Sequence, residues 1–216
     1  MTASFTKTPA ILNDFKRIEA GEVDGLRDLS NDFLEMLVAD EDMEFFTRNR
    51  AKTELTIRKH GISLIAVMAD DSLTEEEMLA NQNRESIDSF RKPAFVYTVG
   101  MDRVGLPEML TFYPNPRDCH FILNELHEHL LDNFNEVPAS DDQVAQFDPL
   151  ENENLPVFAT LLSKEEREWA YEDFTCQVES TETPVMLIHI PAPNGESSFE
   201  FIPEELQGFA ARLRDK

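Results

Sequence analysis

The sequence predicts an α+β fold, in which an antiparallel sheet packs with helices and a helical extension comes first. Apolar side chains recur at three- and four-residue spacing within residues 9–50 and within 117–134, as they do on amphipathic helices. Three short apolar runs rich in β-forming residues, at 62–70, 94–100 and 108–114, indicate strands that pair antiparallel. We therefore expect an N-terminal helical extension over residues 1–54 and an α+β domain over residues 55–216.

The first helical pattern includes Leu26, Leu29, Phe33 and Leu37. Ser30 lies inside this run, where it either breaks the helix or caps a second one, so one helix and two helices both fit the pattern. The basic segment "TRNRAKTELTIRKHG" continues the helical pattern as far as Gly61, a residue type common at helix C-termini. We expect its basic side chains to pair with the acids that precede them.

The segments "ISLIAVMAD", "AFVYTVG" and "EMLTFYP" are predicted to be the first three strands, with a polar, partly helical insertion at 70–92 between the first two. The clearest helix follows and begins at Asn115 or Pro116. Its expected apolar stripe comprises Ile122, Leu123, Leu126, Leu130 and Phe134.

The remainder of the chain mixes loops, strands and short helices. Residues 135–155 lack periodicity and are predicted to be mostly loop. "LPVFATLL" indicates a strand, and Ser163 with Glu166 forms a capping-box pattern at the start of a short helix. "TCQVES" and "TPVMLIHIPAP" are expected strands, "NGESSFEF" an edge strand, and "PEELQGFAARLRDK" a closing helix with basic residues in its last turn.

Charge is the most unusual property of the chain. The formal net charge is −24, from 43 acidic and 19 basic residues. Residues 1–103 carry 20 acids and 13 bases, whereas residues 104–216 carry 23 acids and 6 bases. No Lys or Arg occurs between Asp118 and Ser163. Such a surface repels nucleic acid and anionic membranes and attracts basic proteins, although acidity also serves solubility alone.

Composition excludes several classes of protein. No apolar run approaches the roughly 20 residues of a membrane span, and two cysteines do not make a disulfide framework. The N-terminus lacks the layout of a signal peptide. We therefore expect a cytoplasmic protein that does not contact membranes, and the sequence does not determine its oligomeric state.

Histidines are the first candidates for site chemistry. His120, Asn124 and His127 lie along one edge of the predicted helix, so the two imidazoles are weak candidates for a metal site. The His-Glu-x-x-His signature is absent, and no cofactor is expected. His189 interrupts an apolar strand, so it either faces solvent or is buried with a partner.

The segment "PAFVYTVGMDRVGLPEMLTFY" carries more polar chemistry than a turn requires. Gly100 indicates a turn with positive φ, and Pro107 fixes the entry into the next strand. Glu108 needs a partner if it is buried, and either His60 or Arg103 is a natural one. We expect a polar cluster at the end of the sheet, formed by His60, Tyr97, Thr98 and Glu108, which is either a structural network or a ligand site.

The order of these segments resembles the bacterial and phage domain-of-unknown-function family catalogued as 4262. Members show a His-Gly before the first strand, a Phe-x-Tyr-Thr-x-Gly strand end, a Pro-Glu at the next strand and a Leu-Asn in the helix. The matching residues are His60, Gly61, Phe95, Tyr97, Thr98, Gly100, Pro107, Glu108, Leu123 and Asn124. The family's acid after Pro191 is Ala192 here. The resemblance spans roughly residues 55–200 and implies an α+β fold, without an activity, substrate or cofactor.

Two functions from different classes fit these observations. The first is an acidic, non-enzymatic protein that binds a basic partner protein, as inhibitors, immunity proteins and anti-defence proteins do. The second is a small-molecule sensor or hydrolase-like enzyme that uses the polar cluster. The charge distribution favours the first function. The second is disfavoured because no complete catalytic constellation occurs in the sequence.

Overall fold

The computed structural model describes residues 8–67, 95–112, 116–147, 157–173 and 182–190. The chain divides into two compact units, the N-terminal unit (residues 1–63) and the sheet unit (residues 64–216). The boundary predicted between residues 54 and 55 falls inside a helix that runs without interruption from Phe45 to His60. The division therefore follows the end of that helix. The expected segments at 70–92, 175–180, 194–201 and 203–216 lie outside the described residues, as does Cys176.

The described part of the N-terminal unit contains three α-helices: α1 (Pro9–Glu19), α2 (Asn31–Ala39) and α3 (Phe45–His60). Ser30 is the N-cap of α2, because its hydroxyl accepts the N–H of Phe33 at 3.3 Å. Gly61 ends α3 with φ of 86°, a conformation that glycine adopts without strain, and its N–H bonds to the Ile57 carbonyl at 2.7 Å. The helix end predicted at Gly61 is confirmed, and of the two alternatives left open at Ser30 the structure has the cap of a second helix.

The core of this unit is made where the helices face each other, by Ile11, Leu29, Phe33, Leu34, Leu37 and Ala51. Asp14 is buried beside it and accepts the N–H of Ser30 at 2.8 Å. Arg58 donates to Glu54 at 2.8 Å and to the carbonyl of Arg27 at 2.8 Å. For Arg58, this confirms the prediction that the basic side chains of α3 pair with groups of the same chain.

The sheet unit is built on a six-stranded sheet. Its strands are β1 (Ser63–Val67), β2 (Phe95–Val99), β3 (Glu108–Thr111), β4 (Ala145–Phe147), β5 (Val157–Leu161) and β6 (Val185–His189), in the spatial order β1-β2-β3-β6-β5-β4. Every residue of the three strands β2, β3 and β6 is buried. Central strands that are covered on both faces explain why their sequences are continuous apolar runs rather than alternating ones.

The α+β fold class is confirmed, and the sheet is mixed. β2–β3, β4–β5 and β5–β6 are antiparallel pairs, whereas β3 and β6 are parallel, with Glu108 opposite Val185 and Thr111 opposite Ile188. A parallel pair requires a long crossover connection, and the chain between residues 111 and 185 supplies one. The antiparallel pairing expected from the short connections of the first three strands holds for β2 and β3, and the parallel pair of β3 with β6 was not foreseen.

Two helices belong to the described part of this unit, α4 (Pro116–Asp132) and α5 (Lys164–Asp173). α4 packs on β2 and buries Ile122, Leu123, Leu126 and Leu130. Phe134 was expected to continue this stripe, and that expectation is wrong. Asn133 leaves the helical conformation, and Phe134 begins a short 3-10 turn (Phe134–Glu136) with 54% of its surface exposed.

Local chemistry sets the start of α5. The capping box is confirmed, because Ser163 N–H donates to Glu166 at 2.8 Å and Glu166 N–H donates to the Ser163 hydroxyl at 3.3 Å.

β4 lies within the stretch expected to be mostly loop, and only its pairing with β5 reveals it. Among the described residues, no helix combines the length and apolar character needed to cross a membrane.

Candidate functional site

A buried carboxyl group organises the loop between β2 and β3. Glu108 is 2% exposed, and its Oε2 accepts a hydrogen bond from the Thr98 hydroxyl at 2.6 Å. Its Oε1 accepts the N–H of Gly100 at 2.8 Å and the N–H of Asp102 at 3.4 Å. We call this arrangement the Glu108 cradle: the Glu108 carboxyl, the Thr98 hydroxyl and these two backbone N–H groups.

The loop folds around the carboxyl because two glycines allow it. Gly100 has φ of 111° and Gly105 has φ of 79°, and the 3-10 turn Met101–Val104 lies between them. Successive N–H groups in such a turn point to the same side and form a concave anion site. The loop therefore supplies backbone donors for the first residue of β3.

Thr98 connects the cradle to the strands. Its hydroxyl donates to Glu108 and accepts the N–H of Met109 at 2.7 Å, so both of its hydrogen-bonding roles are used. On the other side of β3, the N–H of Glu108 bonds to the carbonyl of Pro184 at 2.9 Å. The cradle thus ties the β2–β3 loop to three neighbouring segments of the sheet.

Burial changes the acidity of Glu108. Loss of contact with water raises the pKa of this carboxyl above its ordinary value, and the hydrogen bonds from Thr98, Gly100 and Asp102 oppose the rise. The charge of Asp102 adds a smaller upward contribution to the pKa. Because these donors enclose the Glu108 carboxyl, the role that its hydrogen bonds support is to hold the loop in place.

The structure brings together part of the expected polar cluster. Thr98 and Glu108 are in contact, as predicted, and the donors that hold Glu108 are a hydroxyl and two backbone amides rather than the cation that was expected. Tyr97 points to the opposite face of β2 from Thr98, and its ring stacks on Phe95 with centroids 6.2 Å apart. His60 is exposed at the end of α3 in the N-terminal unit, so its membership of the cluster stays a prediction.

We expect Gly100→Ala to destabilise the sheet unit by about 1–2 kcal/mol, because an alanine at φ of 111° places its Cβ against the backbone. Urea unfolding followed by circular dichroism measures this loss. Gly25→Ala is the matched control, since Gly25 has φ of −173° and open space around it. Equal stability of the two variants would show that the loop does not need glycine at position 100.

The histidines of α4 do not share one environment. His120 is exposed and its Nδ1 lies 3.0 Å from the Asn124 amide nitrogen, whereas His127 is buried. Burial lowers the pKa of His127 below its ordinary value. His129 contacts Glu136 at 2.8 Å. Within the described residues, no group of three or more His, Cys, Asp or Glu side chains is placed to hold a metal ion.

The cysteine of α4 is not a reactive thiol. Cys119 is fully buried, and burial together with the charge of Asp118 raises the pKa of its thiol to about 12. Thiolates are the reactive form of cysteine, so this thiol behaves as a small apolar side chain.

A surface depression of about 280 Å³ lies beside the cradle. It is bounded by the β2–β3 loop, by the segments that contain Val137 and Leu161, and by the turn before β6. Its lining residues are Asp102, Gly105, Leu106, Pro107, Val137, Leu161, Thr183 and Pro184.

Of the residues that line this depression, sequence reasoning singled out only Pro107, because proline marks turns. Gly100 and Glu108, which were also singled out, belong to the cradle beside it. Val137, Leu161, Thr183 and Pro184 come from distant segments and carry no local signal. The parallel pairing of β3 with β6 is what places Pro184 next to Glu108.

No family model matches the chain, and neither a curated protein nor a solved structure matches it. The resemblance to the 4262 family therefore stays a prediction.

Proposed function

We propose that this protein is an acidic, non-enzymatic binding protein that docks on a basic surface of a partner protein, in the manner of an inhibitor, immunity or anti-defence protein. The observation that carries the proposal is the placement of charge in the sheet unit. The stretch 118–163 contains no Lys or Arg, and its described acids lie mostly on the surface. The exposed ones are Asp118, Glu128, Asp132, Glu136, Asp141 and Asp142.

On α4 these charges lie on the side of the helix that does not pack on the sheet. α4 buries Leu123, Leu126 and Leu130, while Glu128 and Asp132 on its outer side are exposed. A one-signed surface accelerates encounter with a partner of the opposite sign and excludes partners of the same sign. The proposal therefore includes a basic protein as partner and excludes nucleic acid.

The competing hypothesis, a ligand site or enzyme that uses the polar cluster, receives less support. Tyr97, Thr98 and Glu108 are 2%, 0% and 2% exposed, so a ligand reaches none of them without opening the loop. The Glu108 carboxyl is also occupied by three donors. We further propose that the protein works in a reducing cytoplasm, a compartment consistent with the buried free thiol of Cys119.

The proposal predicts salt-sensitive capture of a basic protein. We expect the tagged protein to retain a stoichiometric partner from host lysate at low salt and to release it at high salt, because screening weakens exposed charge pairs. Mass spectrometry identifies the partner, and calorimetry with both purified proteins gives the dissociation constant. We expect the triple variant Glu128→Gln, Asp132→Asn, Asp141→Asn to weaken binding by about tenfold or more.

The matched control is the variant Glu22→Gln, Glu35→Gln, Glu41→Gln, which removes the same number of exposed charges from the N-terminal unit. Equal weakening by both variants would mean that net charge alone attracts the partner. A partner with an acidic surface, or binding that does not depend on salt, would contradict the proposed function.

A further inference from the structure

The depression beside the Glu108 cradle is small and has mostly apolar walls. Its volume is about 280 Å³, whereas small-molecule sites usually measure roughly 300–1,000 Å³. Leu106 and Pro107 are buried beneath it, and Val137, Leu161 and Pro184 contribute its walls. A space of this size and character suits a single large side chain.

Two exposed apolar side chains lie next to the lining residue Gly105. Phe134 is 54% exposed and its ring lies against the loop, with Cε2 3.8 Å from the position that a Cβ would take on Gly105. Val104, the residue before Gly105, is 50% exposed. Exposed aromatic residues beside a concave apolar surface are characteristic of protein interfaces, where a buried anchor side chain supplies much of the affinity.

Two carboxylates lie at or next to the same depression. Asp102 lines it, and Glu136, with 45% of its side chain exposed, directly precedes the lining residue Val137.

Basic groups near the depression are fewer. Arg103 is exposed on the loop. Arg167 donates to the carbonyl of Glu182 at 3.1 Å, and Glu182 itself is an exposed acid next to Thr183. The surroundings are therefore acidic in balance, which favours a cationic occupant.

We propose that this depression is the anchor site for one apolar side chain, preferably aromatic, in a cationic segment of the partner protein. The inference rests on the proposed function and adds to it a location and a sequence preference. Lysine or arginine residues that flank the anchor would contact the carboxylates of the rim, while the anchor side chain would contact Val137, Leu161 and the ring of Phe134. Apolar burial would supply specificity, and charge would supply attraction.

The test compares two labelled peptides in fluorescence anisotropy. One carries a tryptophan flanked by lysines, and the other carries glycine in place of the tryptophan. We expect the full-length protein to bind the tryptophan peptide about tenfold more tightly, which is the effect of burying one large apolar side chain. In the Phe134→Ser variant we expect most of this difference to disappear.

Phe121→Ser is the matched control, because Phe121 is 53% exposed and lies on α4. It precedes the end of that helix at Asp132 by about 16 Å, at a rise of about 1.5 Å per residue. The tryptophan advantage should persist in this variant. Circular dichroism of both variants confirms that the fold is retained.

The outcomes separate the two proposals. If both peptides bind equally and salt abolishes binding, the anchor site is refuted while acidic attraction remains. If Phe134→Ser leaves the tryptophan advantage intact, the anchor lies elsewhere and the inference is wrong. If neither peptide binds at low salt, attraction to basic segments fails, and the proposed function fails with it.

Discussion

Replacing Glu108 by alanine is expected to destabilise the sheet unit by about 3 kcal/mol, the largest single-residue effect that we predict. Alanine removes the acceptor for the Thr98 hydroxyl and for the N–H of Gly100, both of which are buried. A buried donor without an acceptor costs roughly 1–3 kcal/mol. Loss of a desolvated charge offsets part of this cost. The expected loss of stability is therefore near the lower end of the range obtained by adding the costs of the two unpaired donors.

Glutamine at position 108 separates the hydrogen bonds from the charge. The amide oxygen of glutamine is able to accept the N–H groups of Gly100 and Asp102, as Oε1 of Glu108 does. Its NH2 group meets the Thr98 hydroxyl, which already accepts the N–H of Met109 and loses the acceptor for its own proton. We therefore expect Glu108→Gln to cost about 1 kcal/mol, clearly less than Glu108→Ala.

The pH dependence of this difference follows from the raised pKa of Glu108. The folded protein holds the carboxyl proton of Glu108 more tightly than the unfolded chain does. In the unfolded chain this carboxyl has its ordinary pKa of 4.5. Between that value and the higher pKa of the folded state, folding takes up a proton, so stability falls as the pH rises. Glu108→Gln has no such proton, so its stability lacks this decrease. The difference in stability between the natural protein and Glu108→Gln should therefore shrink as the pH rises above 4.5.

Urea unfolding at several pH values measures both effects, followed by circular dichroism and by the fluorescence of Trp169, the single tryptophan of the chain. Glu128→Ala is the control, because it removes the same residue type from the exposed side of α4. Substitutions at such exposed positions usually change stability little. If Glu108→Ala were no more harmful than Glu128→Ala, the cradle would not hold the loop.

Boundaries set by local chemistry were predictable from the sequence. Gly61 ends α3 because glycine accepts a positive φ, and Ser163 with Glu166 starts α5 through a reciprocal pair of hydrogen bonds. Each signal involves residues within a few positions of one another. Such signals operate before tertiary packing does, so a pattern in the sequence is enough to reveal them.

Features that depend on distant segments were not predictable in this way. The need of Glu108 for a partner was foreseen, but not that backbone amides would meet it, because amide orientation depends on the loop conformation. Likewise, the apolar pattern of β6 gave no sign that it runs parallel to β3. Phe134 matched the helical period, yet Asn133 had already left the helix. Periodicity shows which residues suit a face, and packing decides where that face ends.

Acid should destabilise the sheet unit through His189, in the pH range where the Glu108 carboxyl acts in the opposite direction. His189 is the last residue of β6 and is 7% exposed, with its ring 6.4 Å from that of Phe158. Burial lowers the pKa of His189 from 6.5 to about 4, so the unfolded chain takes up the proton first as the pH falls. As the pH falls between these two values, the contribution of His189 to the stability of the folded state decreases by roughly 3 kcal/mol.

Removing the imidazole should remove this decrease. We expect His189→Leu to lose much less stability between pH 7 and pH 4 than the natural protein does, because leucine fills the same buried position without a proton to bind. His120→Leu is the control, since it deletes an exposed imidazole from α4 and should leave the acid sensitivity unchanged. In the double variant His189→Leu, Glu108→Gln both titrations are absent, so the pH dependence of its stability comes from the other groups alone. If His189→Leu retained the full acid sensitivity, the buried imidazole would not be its source, and other groups of the sheet unit would have to account for it.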